Sequence, residues 1–200
     1  MSITRRASSF ACAIALLSLS PSCSSQSITA QNSDLWSSMR EGTGYVILLR
    51  HAQTVPGTGD PPGFKLDDCS TQRNLSEEGK AQAVKIGDRF RQQQIPIDRV
   101  LSSQWCRCLD TAKLMNIGKV EPFPALNSFF DDRSTEAQQT ERVRQFILHN
   151  QKTSGAIVMV THQVNITALS GVVPQQGEAV VMQVRNGDRF QVVGQLDPLE

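Results

Sequence analysis

The 200-residue chain has three histidines, and two of them stand directly after short apolar runs. Val46 to Leu49 delivers Arg50 and His51; Ala156 to Val160 delivers Thr161 and His162. A third segment, Arg99 to Leu101, leads into Ser102-Ser103 and, shortly beyond, Arg107. The first two runs have the length and aliphatic, β-branched content of buried strands. In an open α/β sheet ligands bind at the carboxyl ends of the strands, where connecting loops converge. If the three strands run parallel, two arginines and two histidines meet at one edge and form a cationic pocket. A phosphate dianion is its natural complement, because guanidinium forks offer bidentate hydrogen bonds to phosphate oxygens. Flanking positive charge also depresses an imidazole pKa, which keeps one histidine neutral and nucleophilic at physiological pH.

The elements that must position these groups are legible around them. In Asn74-Leu75-Ser76-Glu77-Glu78-Gly79, Ser76 reads as the N-cap of a helix in which Ala81, Ala83, Val84, Gly87 and Phe90 recur at helical spacing. Ser102-Ser103 reads as the N-cap of a second helix carrying Arg107, Leu109, Ala112 and Leu114. Residues 120–126 read as a broken extended segment limited by Pro122 and Pro124, and Ser134 to Asn150 as a polar amphipathic helix with Val143, Phe146 and Ile147 on one side. Val180 to Val184 and Phe190 to Val193 flank Asn186-Gly187, a terminal hairpin. Strands interleaved with helices predict an α/β fold, a three-layer α/β/α sandwich around a mostly parallel mixed sheet.

Arg5 and Arg6, the apolar run Phe10 to Leu19 and the Ser-rich stretch after it follow the order of a secretory signal peptide. Residues 1–30 are therefore expected to be an export signal and residues 31–200 one domain, periplasmic or extracellular. The apolar run is too short to span a bilayer, so no transmembrane segment is expected in the mature chain. Ser20-Pro21-Ser22 before Cys23 lacks the leucine usual in a lipid-attachment site, and no lipid anchor is expected there. A net charge of +1 and a pI near 7.7 leave no basic field for nucleic acid. Nothing in the pattern sets an oligomeric state. Cys69, Cys106 and Cys108 are odd in number and lack paired CxxC spacing, so no metal site is expected. In an exported protein one disulfide is the better expectation, from Cys69 to Cys106 or to Cys108.

Four segments in order, LLRHAQT (Leu48 to Thr54), NLSEEGKAQA (Asn74 to Ala83), LSSQWCRCLDTA (Leu101 to Ala112) and VMVTHQVNITAL (Val158 to Leu169), resemble the histidine phosphatase superfamily, also called phosphoglycerate mutase-like. The resemblance implies a phosphoglycerate mutase-like fold and a phosphomonoester hydrolase that needs no cofactor. It also implies that His51 attacks phosphorus, that Arg50, Arg107 and His162 hold the phosphoryl oxygens, and that water later hydrolyses the phosphoenzyme. Thr54 would support the loop or the phosphate. Gln163 and Asn165 follow His162 closely enough to orient it or touch substrate. The family layout also brings Cys69 together with Cys106 and Cys108 beside the pocket. The expected ligand is a small or envelope-linked phosphate ester.

One element departs from the family pattern. Relatives with this layout place a glutamate proton donor after the third strand in a Leu-x-Glu context, whereas here Leu126-Asn127 is followed by Ser128. The nearest carboxylates are Asp131 and Asp132, with Glu136 beyond. The aspartates rank first because the Phe129-Phe130 anchor would pull them toward the pocket. The competing reading makes them solvated charges before a helix, where the dipole favours them. Two other functions fit the same residues: a phosphoglycerate mutase-type phosphotransferase, which export would separate from glycolytic substrates, and a non-catalytic phosphate binder that lacks the acid. His149 is expected to be a helix C-terminal charge, Trp36 and Trp105 packing or rim residues, and Cys106 and Cys108 structural rather than nucleophilic.

Overall fold

Along the strand Tyr45–Arg50 (β1), Ile47 and Leu49 join one hydrophobic cluster while Val46 and Leu48 join another, so both sides of the strand are buried. Ala156–Thr161 (β4) alternates in the same way, with Val158 and Val160 on the first side and Ile157 and Met159 on the second. Burial on both faces explains why these strands read as unbroken apolar runs. The first cluster is completed by helices Gln26–Glu41 (α1), Glu77–Gln92 (α2) and Cys106–Met115 (α3), the second by Glu136–His149 (α4) and Gln163–Ser170 (α5). The result is the expected three-layer α/β/α arrangement. The computed structural model from which it is taken describes residues 26–185 and 189–199.

With Ile97–Ser102 (β2), Val120–Pro122 (β3), Ala179–Arg185 (β5) and Arg189–Leu196 (β6), the sheet order is β3-β2-β4-β1-β5-β6. β1 to β4 are parallel to their neighbours among themselves, and β5 and β6 add an antiparallel edge. Arg50 pairs with Thr161 and Ser102 with Val160, which aligns the carboxyl ends of β1, β4 and β2. That alignment makes one site out of three distant segments.

Ser76 caps α2 as the sequence predicts, its hydroxyl accepting the Gly79 amide at 3.1 Å. Gly79 serves a second purpose: a Cβ there would lie 1.8 Å from the Gln53 carbonyl oxygen, so its hydrogen lets α2 abut the loop leaving β1. Helix α1 was not expected. It packs Leu35, Trp36 and Met39 against the sheet, with the Trp36 ring edge-on to Phe90 at 5.4 Å. The expected boundary at residue 31 falls within α1. The export signal, apart from its last few residues, and the Asn186-Gly187 turn lie outside the described residues. No described helix is long and apolar enough to cross a membrane.

The α3 start is a correction. Trp105, not Ser102 or Ser103, stands at its N-cap, with no side-chain cap. The Cys106 amide instead donates to Gln72 Oε1 at 3.0 Å, and the Ser103 hydroxyl is engaged elsewhere.

Candidate active site

His51 and His162 sit on adjacent strand ends with ring centroids 5.6 Å apart, and both are almost fully buried. The His51 amide continues the β1–β4 ladder by donating to Thr161 O at 3.0 Å. Its Nδ1 lies 2.8 Å from the Ala52 carbonyl oxygen. A carbonyl only accepts, so Nδ1 carries the proton and Nε2 keeps its lone pair. Burial first, then the charge of Arg107, pulls the His51 pKa down to about 3. The ring is held in its neutral form, with the lone pair on Nε2.

His162 has the opposite tautomer. Arg107 Nη2 stands 3.5 Å from its Nδ1 and can only donate, so Nε2–H donates to Ser103 Oγ at 2.8 Å. Ser103 in turn donates to Asn127 Oδ1 at 3.3 Å, which also accepts the Gln104 amide at 2.9 Å. The Asn127 carbonyl accepts from Asn165 Nδ2 at 2.9 Å and from Gln139 Nε2 at 2.7 Å. The residue ahead of the missing glutamate is thus the hub that orients His162, and Asn165 acts through it. Burial, then Arg107 and His51, hold the His162 pKa well below the ordinary value.

Three arginines face the cavity, one more than the sequence pattern assigned. Arg50 Nη1 donates to the Pro174 carbonyl at 2.9 Å; Arg73, the addition, donates to Gly59 O at 2.8 Å and to the Thr54 hydroxyl. Thr54, which also accepts from Gln176 Nε2 at 3.1 Å, therefore fixes Arg73. Arg107 pairs with Asp60, whose side chain is 3% exposed. Among buried side-chain nitrogens, Arg50 Nε and Arg107 Nε have no hydrogen-bond partner. Unmet donors of this kind are costly, and both guanidinium side chains line the cavity. The only advance signal for Arg73 was its place just before the capped helix. Asp60 showed itself as a lone carboxylate in a Gly- and Pro-rich loop.

The cavity measures about 170 Å³ and is lined by these groups together with Ser128, Phe130, Asp131, Gln163 and Gln176. That is below the roughly 300 Å³ at which pockets engulf drug-sized ligands. It suits a phosphoryl group with the first atoms of its carrier. Gln163 and Asp131 thus line the cavity; Asp132 does not. Its carboxylate accepts the Ser134 amide at 2.9 Å and caps the 3-10 turn Arg133–Thr135. The Phe129-Phe130 anchor holds by half, since Phe129 is buried while Phe130 is 49% exposed, and the chain turns outward after Asp131. Glu136 is paired with Arg133 at 2.8 Å. His149 is exposed at the end of α4, as expected.

Cys69 is bonded to Cys106, which settles the pairing, and Cys108 remains a buried thiol. The bond ties the loop below the cavity to the residue beside Arg107. Closing a loop of this span contributes about 3 to 4 kcal/mol in the chain-entropy model. Replacing both bonded cysteines with serine should lower the unfolding free energy by about that amount, read by urea titration, with the Cys108→Ser variant as reference.

The buried histidines also set an acid limit on stability. Below about pH 6.5 the unfolded chain binds protons that folded His51 refuses until about pH 3, so stability is complete above 6.5 and falls as pH drops through that window. Each such group contributes a slope of up to about 1.4 kcal/mol per pH unit. Denaturant titrations at about pH 5.5 and about pH 4.5 should give a shallower acid slope for His51→Gln than for the parent, by about that amount.

Residues 46–128 match the family model for the histidine phosphatase superfamily (branch 1). The match over this stretch, together with the likeness of the fold, supports a phosphatase-type activity. The protein histidine phosphatase SixA complexed with tungstate superposes with a TM-score of 0.56 at 14% identity, over 77% of this chain and 97% of that one. A phosphoserine phosphatase from Entamoeba histolytica, in complex with 3-phosphoglyceric acid, gives 0.55 at 15%, over 78% and 99%. A mycobacterial glucosyl-3-phosphoglycerate phosphatase gives 0.54 at 18%, over 74% and 96%. At these identities the likeness establishes the phosphoglycerate mutase-like fold. No curated protein matches the sequence.

Proposed function

We propose that the chain hydrolyses phosphomonoesters through a phosphohistidine at His51. One observation carries the reading: a neutral His51 with a free Nε2 lone pair beside two buried guanidinium Nε–H groups that lack an acceptor. Arg50, Arg107 and Arg73 hold the three non-bridging oxygens and stabilise the charge that gathers there in the transition state. The Nε2 lone pair forms the N–P bond as the P–O ester bond breaks, and Asp131 gives its proton to the leaving oxygen. Water then attacks phosphorus, Asp131 takes back a proton, and the N–P bond breaks to leave phosphate and neutral His51. His162 steadies the phosphoryl group through the same steps.

The substrate class is a small or envelope-linked phosphate ester. The small cavity favours recognition of the phosphoryl end, and the structural neighbours named above act on phosphoryl groups borne by different carriers. We further assign residues 1–30 to export and residues 31–200 to the exported domain. The Cys69–Cys106 bond supports that reading, since disulfides persist in oxidising compartments.

Purified mature protein should release inorganic phosphate from a panel of aryl phosphates, sugar phosphates and nucleotides. It should do so equally well in EDTA, because the arginines supply the charge that a metal ion would bring. Phosphate binding without turnover of any ester would make the chain a binder instead. Loss of activity on chelation, restored by one added metal, would overturn the arrangement of charges described here.

A further inference from the structure

Asp60 is an anion built into an anion-binding pocket. Both its oxygens accept from Arg107 Nη1, at 2.8 and 3.1 Å; Oδ1 also accepts the Arg73 amide at 2.9 Å, and Oδ2 the Trp105 indole N–H at 2.9 Å. Gly59, with φ at +71°, turns the loop so that this carboxylate points inward, a backbone conformation that favours glycine. Burial works against the charged form, but the hydrogen bonds from Arg107 and the Arg73 amide outweigh it and hold the carboxyl below the usual aspartate value. A group so held keeps its charge and is a poor proton donor.

We propose that Asp60 is the positioning and charge-balancing residue of the pocket, matching its net charge to a phosphoryl dianion so that product phosphate can leave. The assignment rests on the phosphoryl-site reading given above. With both histidines neutral, three guanidiniums set against this one carboxylate leave two positive charges at the cavity floor. Asp131 is exposed at the rim, and Glu178 acts on Arg50 from outside the cavity lining. Without Asp60 the floor would carry three charges, and a dianion held in low dielectric by an extra charge a few ångströms away leaves slowly. The same carboxylate fixes Arg107 Nη1, while Nη2 stays against His162 Nδ1 and the buried Nε has no partner. A residue of purely structural use would show the opposite sign on removal: weaker phosphate binding.

The test is calorimetric titration of inorganic phosphate into intact, disulfide-bonded protein, comparing the parent, Asp60→Asn, and Asp60→Asn combined with Trp105→Phe. The double variant removes the indole donor that would otherwise oppose the new amide; Trp105→Phe alone is its reference. The expected result is phosphate binding at least about tenfold tighter in the Asp60 variants, with kcat and KM for an aryl phosphate both reduced. Equal or weaker binding in both folded Asp60 variants, against a parent that does bind phosphate, overturns the assignment of Asp60 and leaves the proposed hydrolase intact. A parent that binds no phosphate overturns the phosphoryl-site reading itself, and this inference falls with it.

Discussion

Protein carrying His51→Ala should lose turnover of phosphomonoesters by at least about 10,000-fold and should form no phosphoenzyme. Among the described residues the lost group is the only one that both lines the cavity and presents a free nitrogen lone pair, since the His162 Nδ1 lone pair faces Arg107. Rapid mixing with labelled ester, quenched without acid, should leave the parent with an acid-labile, alkali-stable label and the variant with none. His162→Ala should still take up label, more slowly, if that ring steadies the phosphoryl group without bonding to it, as proposed. Label retained by His51→Ala would place the nucleophile elsewhere. Folding of the variant is safeguarded by the β1–β4 pairing, which runs through backbone groups rather than the imidazole.

Asp131→Asn should slow an alkyl phosphate by about 100- to 10,000-fold while sparing an aryl phosphate with a good leaving group. An alkoxide must be protonated as it leaves; a stabilised phenolate needs little help. Asp131 borders the cavity next to Ser128, whereas the neighbouring carboxylate caps a 3-10 turn, so Asp132→Asn should leave both substrates near parental rates. Asp60→Asn should differ from both, since its effect reaches aryl and alkyl esters alike. If Asp131→Asn handles both esters like the parent, the proton comes from another source.

The sequence by itself determined the chemistry-bearing strands and their order. Val46–Leu49 and Ala156–Val160 are apolar on both faces because helices cover both sides of the sheet, a condition written into the residues themselves. Ser76 was legible because a cap acts over three residues. Helix α1 was not, because its sequence is largely polar and its place rests on three side chains meeting a distant sheet face. The choice between Cys106 and Cys108 belonged to the tertiary structure. Two positions along a helix turn about 200°, so when Cys106 faces Cys69, Cys108 must face the core. Asp131 and Asp132 likewise looked equivalent until the chain's turn after Phe129 sent one to the cavity and the other to a cap. Asp60 and Arg73 lay furthest from reach. Their roles come from contacts spanning 47 residues to Arg107 and 19 to Thr54, and no local pattern encodes a partner that only folding brings near.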